Sequence, residues 1–290
     1  DSKTPLYFLV VSSVGNVLLD IFMVTALNMG IAGLAWATFI AQTIAAVFAF
    51  LVLMKRIKAF KTEGKVEVFS TTLLKMLMTM AIPSILQQSF VSVGNLFIQA
   101  LVNSYGADVI AGYSAAIKLN TFVTVCITTL GIGVSNFTPQ NYGAGKIDRV
   151  RGGFKAGVSL MAIVAIVITA VYMIFAAQLM GFFVDMTETR VVDVGVEFMR
   201  IVAPFYIVVG VKIISDGTLR GTGQMFPFMV STFTDLLLRV ALSYILVNFF
   251  DEVGIWLSWP VGWLLGALVS IIFYRVYVYS KKTGMDISKI

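Results

Sequence analysis

Asp20 is a carboxylate in an otherwise apolar run, with Asn16 four residues before it and no basic residue within a helical turn. The four-residue spacing places both side chains on one face of a helix. A short turn centred near Met29 follows, and Thr38 lies as far beyond that turn as Asp20 lies before it. At the helical rise both residues sit about 13 Å from the turn, at equal depth on adjacent antiparallel helices. A carboxylate, an amide oxygen and a hydroxyl then converge. That set suits the oxygen ligation of a sodium ion at Asp20, or a proton held on a carboxyl of raised pKa. The competing reading is a buried aspartate hydrogen-bonded for helix packing.

Other polar groups lie in comparably apolar surroundings. Gln87, Gln88, Asn95 and Gln99 form an amide stripe near Pro83, suited either to substrate contact or to hydrogen bonding between helices. Lys118 has no acid nearby in sequence, so it lines a cavity or pairs across helices. Lys212 with Asp216, and Asp235 with Arg239, are each four apart, and mutual neutralisation is expected within both pairs. Lys212 is expected to snorkel toward water. Gln87, Gln88, Asn95, Lys118, Asp235 and Arg239 are the candidate substrate-cavity residues, since ionisable groups in lipid are functional candidates by default.

These residues are positioned by membrane helices. Of 290 residues, 59% are hydrophobic and 12% charged, far from a soluble globular composition. Charge-free runs of 34, 32 and 29 residues follow Asp20, Lys75 and Lys155, each longer than the roughly 20 residues that cross a bilayer. Eight spans are expected, at about 5–27, 31–54, 73–103, 107–140, 153–178, 195–217, 227–248 and 254–279. All are helical, because backbone polar groups in lipid must be satisfied within the segment. Pro83, Pro139, Pro204 and Pro260 are candidate kinks.

Alternating the loops puts sixteen basic residues on one side and two on the other, so both ends of the chain are expected in the cytoplasm. The net charge of +6 follows from loop lysines and does not call for nucleic acid. There is no histidine and a single cysteine, Cys126, which excludes histidine-ligated haem, most zinc sites and an intrachain disulfide. GAGK at 143–146 lacks the glycine spacing, the following Ser/Thr and the preceding strand of a phosphate loop. No clustered acids or nucleophile–base pair suggest an enzyme. The fourteen methionines and twenty-three phenylalanines are mostly packing or lipid-facing residues.

The first residues, DSKTP, read as the middle of a loop. With an offset of 219, Ser12, Asn16 and Asp20 align with Ser231, Asp235 and Arg239, and Gly30-Ile31 matches Gly254-Ile255 after a short insertion. The first two spans therefore look like a repeat of the last two, a recurrent transporter feature. On a six-helix unit, spans three to eight are complete and the first unit lacks four helices.

The stretch GIGVSNFTPQNYGAGKIDRVRGG (131–153) resembles the loop after the eighth helix of the multidrug and toxic compound extrusion (MATE) family. AIPSILQQSFVSVGNLF (81–97) is similar to its seventh helix, and LRGTGQ (219–224) and DSKTP (1–5) to its two repeat-related cytoplasmic loops. The resemblance covers essentially the whole chain. It implies helices five to twelve of a twelve-helix protein whose two lobes face a central cavity and alternate access. Its domains would be the last two helices of the N-terminal lobe (1–54), an inter-lobe linker (55–72), a C-terminal six-helix lobe (73–280) and a cytoplasmic tail (281–290). The implied function is a plasma-membrane antiporter, monomeric at full length, that exports amphipathic, cationic drugs in exchange for H+ or Na+ and needs no cofactor. Asn16, Asp20 and Thr38 match three members of a first-lobe cation site that one branch of the family completes with a helix-one Asp. The seventh-helix carboxylate common in the sodium-coupled branch is absent, which puts a second-lobe cation site in doubt. A lipid-linked oligosaccharide flippase shares the superfamily's architecture and is the alternative, although its cavity should be more basic.

Overall fold

In the computed structural model, which describes residues 3–59 and 69–279, long apolar runs separated by short turns give eight helices. They are α1 (Lys3–Ile21), α2 (Gly30–Ala59), α3 (Thr71–Asn103), α4 (Ala107–Gly143), α5 (Ile147–Met180), α6 (Thr189–Val202), α7 (Tyr206–Gly221) and α8 (Met225–Tyr274). Lys3, Thr4 and Pro5, expected in a loop, already belong to α1. The helices amount to eight stretches long and apolar enough to span a membrane, with α6 and α7 forming one and α8 two. The boundaries fall within a few residues of the expected ones, except that the fifth begins at Ile147 rather than near 153 and the sixth at Thr189 rather than near 195.

The chain divides into two compact units, Asp1–Ser70 and Thr71–Ile290. In the first, α1 ends in a π-helical turn (Phe22–Ala26) and α2 returns beside it. Gly33, Ala37 and Ala41 are buried on α2, and such small residues let helix backbones approach closely. Most of the larger apolar side chains of this pair are exposed, as lipid-facing residues are.

In the second unit α4 packs against α5, α6 and α7, and α8 packs against α3, α6 and α7. Trp256, Tyr206, Phe198 and Met161 are fully buried at the centre. Tyr113 stacks on Trp256 at 5.2 Å, and Phe198 meets Trp256 edge-on at 5.4 Å, both favourable aromatic arrangements. Pro204 breaks its span outright, through a 3-10 turn (Ala203–Phe205). Thr169 Oγ1 donates to the Ala203 carbonyl at 2.7 Å, so a neighbouring helix satisfies backbone at the break. Pro83, Pro139 and Pro260 lie inside continuous helices, while α5 deviates at Phe175 without a proline.

The two turns aligned by the repeat each carry a non-glycine residue at positive φ. Asn28 (φ 51°), two residues before Gly30, and Asp251 (φ 50°), three before Gly254, both adopt positive φ. At Asp251 the chain folds back, dividing α8 into the spans Met225–Phe250 and Val253–Tyr279. The return is tight enough that a Cβ on Gly254 would fall 2.4 Å from the Leu246 carbonyl carbon.

The approach of α4 to α6 is equally close. A Cβ on Gly112 would lie 2.5 Å from the Val191 carbonyl oxygen and 2.9 Å from the Val194 side chain. Because the first neighbour is backbone, Gly112→Val cannot be relieved by a rotamer change. It is expected to lower stability by about 1–3 kcal/mol, as overpacked cores do. Thermal unfolding in detergent checks this, with the exposed position Gly133, where a Cβ meets nothing, as the control.

Candidate functional site

Two sets of polar groups stand out, one in each unit. In the first unit the α1–α2 hairpin fixes the depth of Asn16 and Thr38, and the Asn16 Nδ2 donates to Thr38 Oγ1 at 3.4 Å. Asp20 is half-buried on the same helix, one turn from Asn16. Its Oδ1 is shielded from solvent and has no hydrogen-bond partner among the described residues. The Asn16–Thr38 bond leaves the amide oxygen of Asn16 as a further acceptor. The Asp20 Oδ1 is an acceptor of the kind a proton or a hard cation takes up.

The second unit holds a cavity of about 530 Å3. The α3 wall contributes Gln87, Gln88 and Asn95. Gln99, the fourth amide of the stripe, instead donates to Asn103 Oδ1 at 2.8 Å on its own helix. From α7 come Lys212, Asp216 and Arg220, and from the two halves of α8 come Asp235, Arg239, Trp259 and Trp263. Lys118 is not on this wall. It is exposed, with Nζ 5.6 Å from the centroid of the Phe183 ring, and among the described residues it forms no ion pair with an acid.

Charge pairing in the cavity departs from the helix-spacing expectation. Lys212 and Asp216 do pair, at 2.9 Å, but Lys212 does not snorkel; it is 5% exposed. Its Nζ also lies 3.7 Å from Asp235 Oδ2. Asp235 is thereby engaged by α7, and its expected pair with Arg239 does not form within 4.0 Å. Arg239 stacks on Trp259 instead, its guanidinium carbon 4.6 Å from the ring centroid. Asp216 is saturated, since its Oδ1 accepts from Ser231 (3.0 Å) and Ser270 (2.6 Å) while Oδ2 faces Lys212. Two glycines make this possible: a Cβ on Gly262 would fall 2.9 Å from Asp235 Oδ1, and one on Gly266 would fall 2.8 Å from Lys212 Cε.

Sequence reasoning missed the α4 wall. Asn120, Thr124 and Thr128 line the cavity at four-residue spacing, a polar stripe that periodicity could have found. Asn120 Oδ1 accepts from the buried Tyr206 hydroxyl at 3.0 Å. Ser231 carried only the repeat alignment with Ser12 and Ser270 no signal at all, because only the fold brings both to Asp216. No group of three or more acid, histidine or cysteine side chains that could hold a metal occurs among the described residues.

The MatE family model matches residues 83–245. A probable multidrug resistance protein, YoeA of Bacillus subtilis, is 27% identical over 293 residues, covering 97% of this chain and 62% of that protein. The multidrug export protein MepA of Staphylococcus aureus is 21% identical, covering 96% of this chain and 61% of its own length. Among solved structures, an outward-facing multidrug resistance MATE transporter of the MOP superfamily superposes with a TM-score of 0.86 at 20% identity, over 96% of this chain and 63% of that one. The chain thus spans about three-fifths of the length of the relatives it matches.

Proposed function

This chain belongs to the MatE family, and from that premise we propose that it takes part in secondary active export of amphipathic drugs or toxic organic compounds. Such a protein is a transporter, not an enzyme. In this reading two lobes alternate access, and a proton or sodium gradient drives the cycle. Residues 1–54 close a first lobe, 55–72 link it to a second lobe at 73–280, and 281–290 form a tail. The protein sits in the plasma membrane with both ends of the chain cytoplasmic, works as a monomer, and needs neither a cofactor nor nucleic acid.

The observation that carries the coupling part of this reading is the unpartnered Asp20 carboxylate beside the Asn16–Thr38 pair. Names of the relatives as multidrug resistance and export proteins support the substrate class. A flippase for lipid-linked oligosaccharide is weaker, because Lys118 is off the cavity wall and Lys212 is already committed to two aspartates. Transport is tested in vesicles holding the purified protein, by imposing a proton or a sodium gradient and following drug movement. Drug movement that ignores both gradients would overturn the coupling.

The orientation has its own test. In a Cys126→Ser background, single cysteines at Lys61, Lys146 and Lys282 are expected to react only from the cytoplasmic side, and one at Glu188 only from outside. Lys61 and Lys282 lie outside the described residues; Lys146 and Glu188 precede α5 and α6 on opposite ends of a span. Labelling of Lys61→Cys and Lys146→Cys from opposite sides would break the parity of the spans.

A further inference from the structure

The charged side chains on the second-unit cavity wall are Lys212, Arg220 and Arg239 against Asp216 and Asp235, so the wall is positive by one. Both acids face Lys212: Asp216 accepts from three side chains, and Asp235 Oδ2 lies 3.7 Å from Lys212 Nζ, while its Oδ1, shielded against Gly262, has no hydrogen-bond partner among the described residues. Arg239 is 7% exposed, lines the cavity, and among the described residues neither donates a hydrogen bond nor stands within ion-pair distance of an acid. Trp259 beneath it fixes the guanidinium plane but supplies no counter-charge. A desolvated guanidinium retains five donors in a fork that matches a carboxylate or phosphate.

We propose that Arg239, held on Trp259, is an anion subsite, and that the cavity takes amphipathic organic anions: an apolar body bearing one carboxylate or phosphate. The cavity volume fits a drug-sized body. Trp263 and Phe228 offer that body apolar surface, while Gln87 and Asn95 on the same lining are neutral and so do not oppose the negative head. Arg220, whose Nε is tied to Ser135, adds a second positive charge to the same wall. This assignment rests on the cavity being where the exported compound sits. It departs from the cationic substrates that the family resemblance alone implies.

The test holds the apolar body constant and changes the head. Pyrenebutyrate, pyrenebutanol and pyrenebutylamine are titrated into the purified protein in neutral detergent, with energy transfer from tryptophan as the readout. Pyrenebutyrate is expected to bind about tenfold more tightly than the alcohol, the scale of one charge-assisted hydrogen-bonded pair, with the amine no tighter than the alcohol. Arg239→Gln should erase the preference of the carboxylate over the alcohol, and Arg239→Lys should keep part of it. Equal binding of the three, a preference for the amine, or a preference that survives Arg239→Gln would each overturn the subsite. The wild-type series decides the sign of the head without any variant. Competition then separates the sources of the anion: displacement by 2-naphthoate supports a drug-like compound, and displacement by farnesyl diphosphate alone overturns that assignment in favour of a lipid-linked head. Binding is read without a gradient, so a failure of ion coupling leaves this result standing, and the reverse holds too.

Discussion

Asp20→Asn is expected to abolish gradient-driven export in the complete transporter, reducing drug resistance to that of cells lacking the protein, while the variant still accumulates and binds drug. The substitution is nearly isosteric and removes only the ability to hold a proton or neutralise a cation. The Asn16–Thr38 hydrogen bond does not involve Asp20 and should survive. Asp20 Oδ1 has no partner among the described residues, so the change breaks no bond there. Stability is therefore the discriminating measurement. A coupling aspartate tolerates Asn with an unchanged or raised melting temperature, because an unpaired, shielded carboxylate is itself a cost. A structural aspartate would lose stability on the order of 1–3 kcal/mol through unsatisfied neighbours. Wild-type resistance with normal proton or sodium coupling in the variant would show that Asp20 is not the coupling residue.

Lys212→Ala is expected to be among the most destabilising single changes in the second unit. Lys212 stands between two buried carboxylates, 2.9 Å from Asp216 and 3.7 Å from Asp235. Its removal strands both. Deleting one partner of a buried pair typically costs about 3–5 kcal/mol, because the remaining charge stays desolvated and uncompensated. The variant should unfold at much lower temperature in detergent and lose yield. Lys212→Met with Asp216→Asn should recover the part of that loss due to Asp216, because no charge is left there and an amide oxygen can still accept from Ser231 and Ser270, while Asp235 stays uncompensated. A double-mutant cycle reads the coupling directly. A Lys212→Ala protein that melts with the wild type would mean the lysine is hydrated and the network is not a structural element.

The eight spans were legible in the sequence because the bilayer imposes a one-dimensional rule: a predominantly apolar run longer than a membrane is thick crosses it as a helix. Asn16 and Thr38 were legible for a related reason. A tight turn after α1 leaves little freedom of register, so equal distances from the turn put both residues at equal depth. Pairing across the bundle had no such rule. Four-residue spacing puts Asp235 and Arg239 on one face, but the choice of partner passes to whatever else that face meets. Lys212 arrives from α7, close enough only because Gly262 and Gly266 lack a Cβ, and Trp259 offers Arg239 an aromatic face. Lys118 likewise has two faces open to it in a helical projection, and packing of the bundle turned it toward Phe183. The sequence by itself determined the membrane class, the spans and the equal depth of Asn16 and Thr38, all set by local chain geometry and hydropathy. Which buried charges are satisfied and which remain free for a ligand was decided by the tertiary structure alone, because electrostatic partnership in a dry interior depends on distances of a few ångströms between helices far apart in the chain.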